Sequence, residues 1–332
     1  MTPKSVFEDF LRDIEPSPTT KANASSAHTT LREFLSKHEE FREVHKTTFL
    51  SGSYKRATVI RPKAPEGEVE RPDVDIIVVT SYSLSDSPAA VLELLYGTLK
   101  DGYSTVRKQQ RSVRVETNNA VMDVVPMIAP YGDDGPFYIP DRKLEQWVET
   151  NPPRNTQWTT DMNNAAGGRF KPLVKLMKWW RRENPTVSKK PKGFVIECVT
   201  AECMDKSEKH YGELFAKTLE GVACRYAVWV QLQVVPHIED PGVPGNSVTE
   251  GMTFAAFEGF YRKAETHAKK ARKALKEDDP EKATELWHEI FGERFPTMHS
   301  TKASGLLAAA AVPRTATFPA RPVLPNKPSG FA

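Results

Sequence analysis

Apolar positions near the start of the chain recur at helical spacing: Phe7, Phe10, Leu11 and Ile14. Ser5 with Glu8 three residues later reads as a capping box, and Glu15-Pro16-Ser17-Pro18 closes the helix. A second helix is expected over 20–38, with Leu31, Phe34 and Leu35 turned inward. The period then falls to two. Residues 46–51 read as a strand running into Gly52-Ser53, and a Pro-, Glu- and Arg-rich loop fills 61–71. Next comes Asp73-Val74-Asp75-Ile76-Ile77-Val78-Val79, a β-branched run with two acids at its start. A helix over 87–100 carries Val91, Leu94, Leu95 and Leu99 on one face. Residues 107–116 and 120–128 read as paired strands around Asn118-Asn119.

Beyond this point the pattern is helical. One helix is expected over 170–183, with Leu173, Met177 and Trp180 on its apolar face, and another over 211–231. A loop with Pro236, Pro241 and Pro244 follows. Phe254, Phe257, Tyr261, Ala264, Ala268, Ala271 and Leu275 then mark a long helix. Asp279 as N-cap, Pro280 at the first position and Gly292 just past the end bound the last one. From residue 297 the chain turns to Ala, Pro, Ser and Thr, a composition that packs no core. Helices and paired strands with acids at strand ends make an α+β class rather than a doubly wound one.

Composition narrows the setting. The chain has 332 residues, enough for two lobes, with 27% charged and 39% hydrophobic residues and a net charge of +3. That balance gives no general affinity for polyanions, so no nucleic-acid partner is expected. No apolar run reaches the roughly 18 residues of a membrane span, and Glu8, Asp9, Asp13 and Glu15 interrupt any signal-peptide pattern. The expected location is cytoplasmic. Cys198, Cys203 and Cys224 lack metal-ligand spacing and read as core thiols.

The acids carry the chemistry. Residues two apart on a strand share a face, so Asp73 and Asp75 project together. Two such carboxylates repel unless a hard cation lies between them, and Mg²⁺ is held by one or two carboxylates plus phosphates. Asp123 stands alone inside the apolar run 120–128 and needs a partner. Gly52 and Ser53 can offer a phosphate-binding turn. Three strand-borne aspartates around two Mg²⁺ ions, for which Mn²⁺ can substitute, suit in-line attack on a nucleoside triphosphate. On the helix over 170–183, Lys171, Lys175, Lys178 and Arg182 form a basic stripe without interleaved acids, and an anion would relieve their repulsion.

The order Gly52-Ser53, Asp73-x-Asp75, Asp123 resembles the DNA-polymerase-β-like nucleotidyltransferases. Within them the chain is similar to the bacterial relatives of cyclic GMP–AMP synthase, the CD-NTases of CBASS anti-phage defence. Residues 135–142, 147–152, 171–180 and 287–296 carry the narrower likeness. The resemblance implies a bilobal fold: a catalytic lobe with spine helices over 1–165, a helical lobe over 166–296 and a flexible tail over 297–332. It implies a Mg²⁺-dependent synthase that joins ATP, GTP or other NTPs into a cyclic second messenger, with cyclic GMP–AMP the expected product. Lys178 matches a lysine that contacts the donor triphosphate, and Lys175 is a second candidate. Gly193 stands where the family often has a phosphate-binding serine, and Phe194 where an aromatic stacks on the base. Ubiquitin-conjugation-like enzymes accompany many such synthases, which makes Ala332 an expected attachment point. Two rivals share these acids: a template-independent nucleotidyltransferase acting on RNA or protein, and a non-catalytic nucleotide sensor.

Overall fold

The structure is a computed structural model that describes residues 2–63, 68–132 and 135–298. Ala332 and the tail from residue 299 onward lie outside the described residues. Phe7, Phe10 and Leu11 form the buried stripe of α1 (Lys4–Asp13). This helix starts one residue before Ser5, with Pro3 at the cap and no side-chain cap bond, so the expected capping box does not form. In α2 (Pro18–Lys37) the Ser17 hydroxyl accepts from the Thr20 N–H, and Pro18 takes the first position.

The sheet follows, with β1 (His45–Ser51), α3 (Gly52–Lys55), β2 (Asp73–Thr80) and α4 (Pro88–Gly102). Then come β3 (Val106–Lys108), β4 (Val113–Glu116), β5 (Val121–Ile128), β6 (Phe137–Asp141) and β7 (Gln146–Thr150). The single strand expected over 107–116 is two strands. Gln109 donates its N–H to the Ser112 carbonyl and turns the chain between them. Strand order is β1-β2-β5-β4-β3, with β6 joining β5 and β7. β2 and β5 are parallel, while the other pairs are antiparallel.

Period two divides the faces of β2. Val74, Ile76 and Val78 pack with Leu31 and Leu35 of α2 and with Leu92, Leu95 and Leu99 of α4. Ile77 and Val79 face the other way, with Met127 and Phe137. Asp73 and Asp75 share that second face.

The rest is helical: α5 (Pro152–Ala165), α6 (Phe170–Glu183), α7 (Gly193–Cys203), α8 (Tyr211–Arg225), α9 (Ala227–Gln231), α10 (Phe254–Lys276) and α11 (Pro280–Phe291). The one helix expected over 211–231 breaks at Tyr226, whose buried ring packs on Phe257 and whose hydroxyl donates to Glu202. Asp279 caps α11 and Gly292 ends it at φ +79°. Cys198 is buried, but Cys224 is exposed, so the three thiols are not all core. Among the described residues, no helix is long and apolar enough to cross a membrane.

The first helix belongs to the helical core, not to the sheet. Phe7, Phe10 and Ile14 join Trp179, Trp287, Phe291 and Phe295 there, and Phe7 meets Trp287 edge-on at 5.0 Å between ring centroids. The N-terminus thereby threads from the helical lobe, through α1, to the sheet lobe, through α2. Replacing Phe7 by Ala leaves a cavity in this aromatic cluster. The expected loss is about 3–5 kcal/mol of stability, read from urea unfolding; a loss under about 1 kcal/mol would refute the packing role given to α1.

Candidate active site

One polar row crosses the sheet. Ser51 on β1 pairs with Asp75 on β2, Asp75 with Asp123 on β5, and Asp123 with Arg114 on β4. Neighbouring strands lie about 4.8 Å apart, so the register alone brings the two acids together. Asp73 lies on the same face, two residues before Asp75. The three predicted acids are therefore neighbours.

Their environments differ. Burial raises the Asp75 pKa to about 6, helped by the charges of Asp123 and Asp73. Burial also raises that of Asp73, although this residue stands at the open end of the strand and Arg114 opposes the shift. Asp123 has both oxygens on Arg114: Nε donates to Oδ1 at 3.0 Å and Nη2 to Oδ2 at 2.6 Å. The described residues hold no ready cage of three metal-ligating side chains. Asp73 and Asp75 nevertheless form a carboxylate pair whose mutual repulsion a hard cation would remove, so they fit one. Asp123 is satisfied by the guanidinium and joins them as a ligand only if Arg114 gives way.

Gly52 makes this pair accessible. Its φ is +64°, and a Cβ there would lie 1.7 Å from Asp75 Oδ2. Glycine is thus demanded twice, by the left-handed backbone and by the acid that fills the space of a side chain. Gly52 and Ser53 line one wall of a cavity of about 1090 Å³ together with Asp73, Asp75, Lys178, Gly193 and Phe194. Ligand pockets commonly span about 300–1,000 Å³, so this one has room for more than one nucleotide. Nine lysines and arginines but four acids line it, a balance suited to an anionic substrate.

The opposite wall rests on residues that sequence reasoning missed. Glu197, fully buried in α7, accepts from Arg56 Nε and Nη2 at 3.0 Å each, from Thr58 Oγ1 at 2.9 Å and from Lys178 Nζ at 2.7 Å. Burial would raise its pKa, but Lys178 and Arg56 hold it below the usual range. Lys178 also donates to the Thr58 carbonyl and hydroxyl. It reaches the cavity as a cation already partnered. A single glutamate inside the apolar run Phe194-Val195-Ile196-Glu197-Cys198-Val199 was the available signal, the same one that singled out Asp123.

The other predicted residues fall as follows. Gly193 opens α7, whose N-cap, Lys192, supplies no side-chain cap bond. A Cβ on Gly193 would meet the Lys178 Cε at an ordinary 3.4 Å, so the space admits a serine. Phe194 lines the cavity, with Arg56 over one ring face at 4.9 Å and Trp158 edge-on to it at 6.2 Å between centroids. Lys175 lies apart from these residues. It is absent from the cavity lining and is held by Glu15, the residue after α1 and Ile14. The expected unpaired stripe on α6 is thus largely paired: Glu15 and Glu197 come from other segments to Lys175 and Lys178, and Glu183, the last residue of α6 itself, takes Arg182.

An α+β sheet with strand-borne acids opposite a glycine turn, over a basic cavity, defines a nucleotidyltransferase. Residues 1–163 match the family described as Second Messenger Oligonucleotide or Dinucleotide Synthetase domain. Over its whole length the chain is 48% identical to 98% of a cyclic AMP-AMP-AMP synthase from Acinetobacter. It is 27% identical over 87% of its length to 91% of a cyclic AMP-AMP-GMP synthase from Enterobacter hormaechei. The fold matches that of the E. coli CdnC structure with ATP at a TM-score of 0.70 and 18% identity, covering 89% of this chain and 99% of that one. The chain belongs to the CD-NTases, and it is a cyclic oligonucleotide synthase.

Two outcomes test this geometry. Gly52→Ala must push Asp75 aside; a displacement of about 1 Å at a reacting centre costs about 10²-fold in rate, so product formation should fall at least that far. An Ala variant with wild-type turnover would overturn the close approach. The second concerns pH. The folded-state pKa of Asp75 lies above its unfolded value, so its contribution to stability is full below about 4 and is lost as pH rises through about 6 in cation-free protein. A divalent cation compensates the ionised pair. Mg²⁺ should therefore raise Tm more at pH 7.5 than at pH 5, by differential scanning fluorimetry, and Asp75→Asn should abolish the difference. Equal shifts at both pH values would refute cation binding at Asp75.

Proposed function

We propose that this protein makes cyclic tri-AMP from ATP, as the Acinetobacter relative's name describes for that protein. The observation that carries this reading is 48% identity in a match that spans the entire chain. Cyclic GMP–AMP, the product expected from the sequence, finds no support in the two named relatives, both of which make cyclic trinucleotides by name. The more distant one favours a second product, with one GMP in the ring. Family membership displaces the RNA- or protein-modifying alternative and the sensor alternative. Anti-phage signalling is the role that fits such a product.

Each bond would form the same way. A ribose hydroxyl of one nucleotide gives up its proton to water and attacks the α-phosphorus of another; the new P–O bond forms, the α–β anhydride bond breaks, and pyrophosphate leaves. Three such steps close a ring. Asp73 and Asp75 would hold Mg²⁺, which supplies Lewis-acid stabilisation of the charge that develops on the phosphates. Gly52 and Ser53 would direct N–H and hydroxyl donors at the same triphosphate. The N-terminus of α7 would meet it from the other wall, where unpaired amides favour anions. Asp123 is held by Arg114 through both of its oxygens in this arrangement. Its part here is to add negative charge and to orient Arg114, unless the guanidinium withdraws. Donors fixed in advance of the charge they stabilise supply most of the catalysis in such sites.

Mass spectrometry after incubation with all four NTPs and Mg²⁺ should show cyclic tri-AMP as the main ring. Asp73→Asn with Asp75→Asn should yield none, while Tm without metal holds or rises because two repelling carboxylates are gone. A ring dominated by GMP would sink the product assignment; undiminished synthesis by the double variant would sink the roles of the acids.

A further inference from the structure

The polar row of the sheet does not stop at Arg114. That residue is paired in register with Arg107 on β3, the edge strand, so the row reads Ser51, Asp75, Asp123, Arg114, Arg107. Like charges directly opposite on neighbouring strands repel. The two guanidiniums part accordingly: Arg107 Nη1 lies 3.7 Å from Glu116, and Arg114 turns the other way, onto Asp123.

The pair of Arg114 with Asp123 closes the third acid to the cavity. Val121 and Val125 stand two residues to either side of Asp123, on the same face of β5. Both line the cavity, as do Asp73 and Asp75, but Asp123 does not. Its carboxylate is instead engaged along the sheet by β4, with both oxygens on the guanidinium at 3.0 and 2.6 Å. The guanidinium also has a second place to go. Glu116 follows Arg114 by two residues on β4, on the same face and about 7 Å along the strand. Its ion pairs, with Arg107 at 3.7 Å and Arg71 at 3.9 Å, are too long for hydrogen bonds. Arg114 therefore has two carboxylates within its neighbourhood, one bound tightly and one held loosely by others.

We propose that Arg114 is a latch on the third acid: on Asp123 it takes the place of a cation, and by moving to Glu116 it frees that acid to join Asp73 and Asp75. The inference rests on the nucleotide-synthase reading given above. A guanidinium matches a carboxylate with two parallel N–H donors. A divalent cation needs the same oxygens, so the two exclude each other at Asp123. Arg114 is thus a positioning residue, acting through Asp123 and touching no nucleotide. Glu116 decides how readily it lets go.

The test titrates the full chain with Mn²⁺, without nucleotide, and follows free Mn²⁺ by electron paramagnetic resonance. Arg114→Gln should bind Mn²⁺ about 10- to 100-fold more tightly than wild type, the span of one charge-assisted hydrogen bond. Arg114→Lys, which keeps the charge but loses the fork, should fall between them. Glu116→Gln removes the second seat and should weaken Mn²⁺ binding about 10-fold. Both effects should vanish when Asp123→Asn is added, because no third acid is left to open. Should Arg114→Gln not fold, Glu116→Gln with and without Asp123→Asn carries the same comparison. Unchanged Mn²⁺ affinity in the folded variants overturns the latch, as do effects that persist with Asp123→Asn, which mark a general change of field. Either result leaves the synthase reading intact. Wild type and variants that bind no Mn²⁺ at all overturn both the latch and the role of the acids.

Discussion

Glu197 is the charge that the two-lobed arrangement depends on. Arg56 and Thr58 come from the chain that follows the glycine turn, and Lys178 and Glu197 come from α6 and α7. One carboxylate with no solvent exposure collects donors from both lobes. Breaking such a pair from one side leaves buried cations behind, which is why the cost of losing one partner exceeds the worth of the pair itself. The consequence is geometric. The Gly52-Ser53 turn on one wall and the start of α7 on the other are held at a fixed separation, with the cavity between them.

The second constraint is register. Strand pairing puts Ser51, Asp75, Asp123 and Arg114 in a single row, so the acid cluster needs no loop to assemble it. A one-residue slip of β5 against β2 would turn Asp123 into the apolar layer with Leu92 and Leu95. Burial of Met122 and Val124 of β5 on the far face, beside Val74 and Ile76 of β2, prevents that slip. The hydrophobic core of the sheet therefore positions the chemistry, and Arg114 neutralises Asp123, the acid paired in register with Asp75.

Much of this was legible in the residues. Period two gave β2 and β5, and the position of Asp73 and Asp75 on one face followed from it. The pairing of Asp75 with Asp123 did not, because register is a property of two strands and not of either run alone. Caps were uneven guides. Asp279, Pro280 and Gly292 bound α11 as read. Ser5 and Glu8 misled because the backbone had turned helical a residue earlier. The helix broken at Tyr226 and the strand split at residues 109–112 were hidden for a related reason: side chains from distant segments, or a local turn, outweighed the periodicity.

The basic stripe of α6 shows where single-sequence charge reasoning stops. Counting i and i+4 positions finds no acids beside Lys175 and Lys178, and their repulsion then suggests a ligand. The fold brings Glu15 and Glu197 to them from 160 and 19 residues away. A charge is unpaired only in three dimensions, so the informative cation is the one the whole fold fails to partner. By that measure Arg181, which the stripe did not include, differs from Lys175 and Lys178: no carboxylate among the described residues lies within ion-pairing distance of it. Of its neighbours in sequence, Trp180 donates its indole N–H to His267, and Arg182 lies over Trp179 with its own Nε also buried without a hydrogen-bond partner. Packing can satisfy an arginine through its face or its donors. At Arg181 one donor, Nη2, is buried without a hydrogen-bond partner, and a buried donor left unsatisfied costs the desolvation of that group.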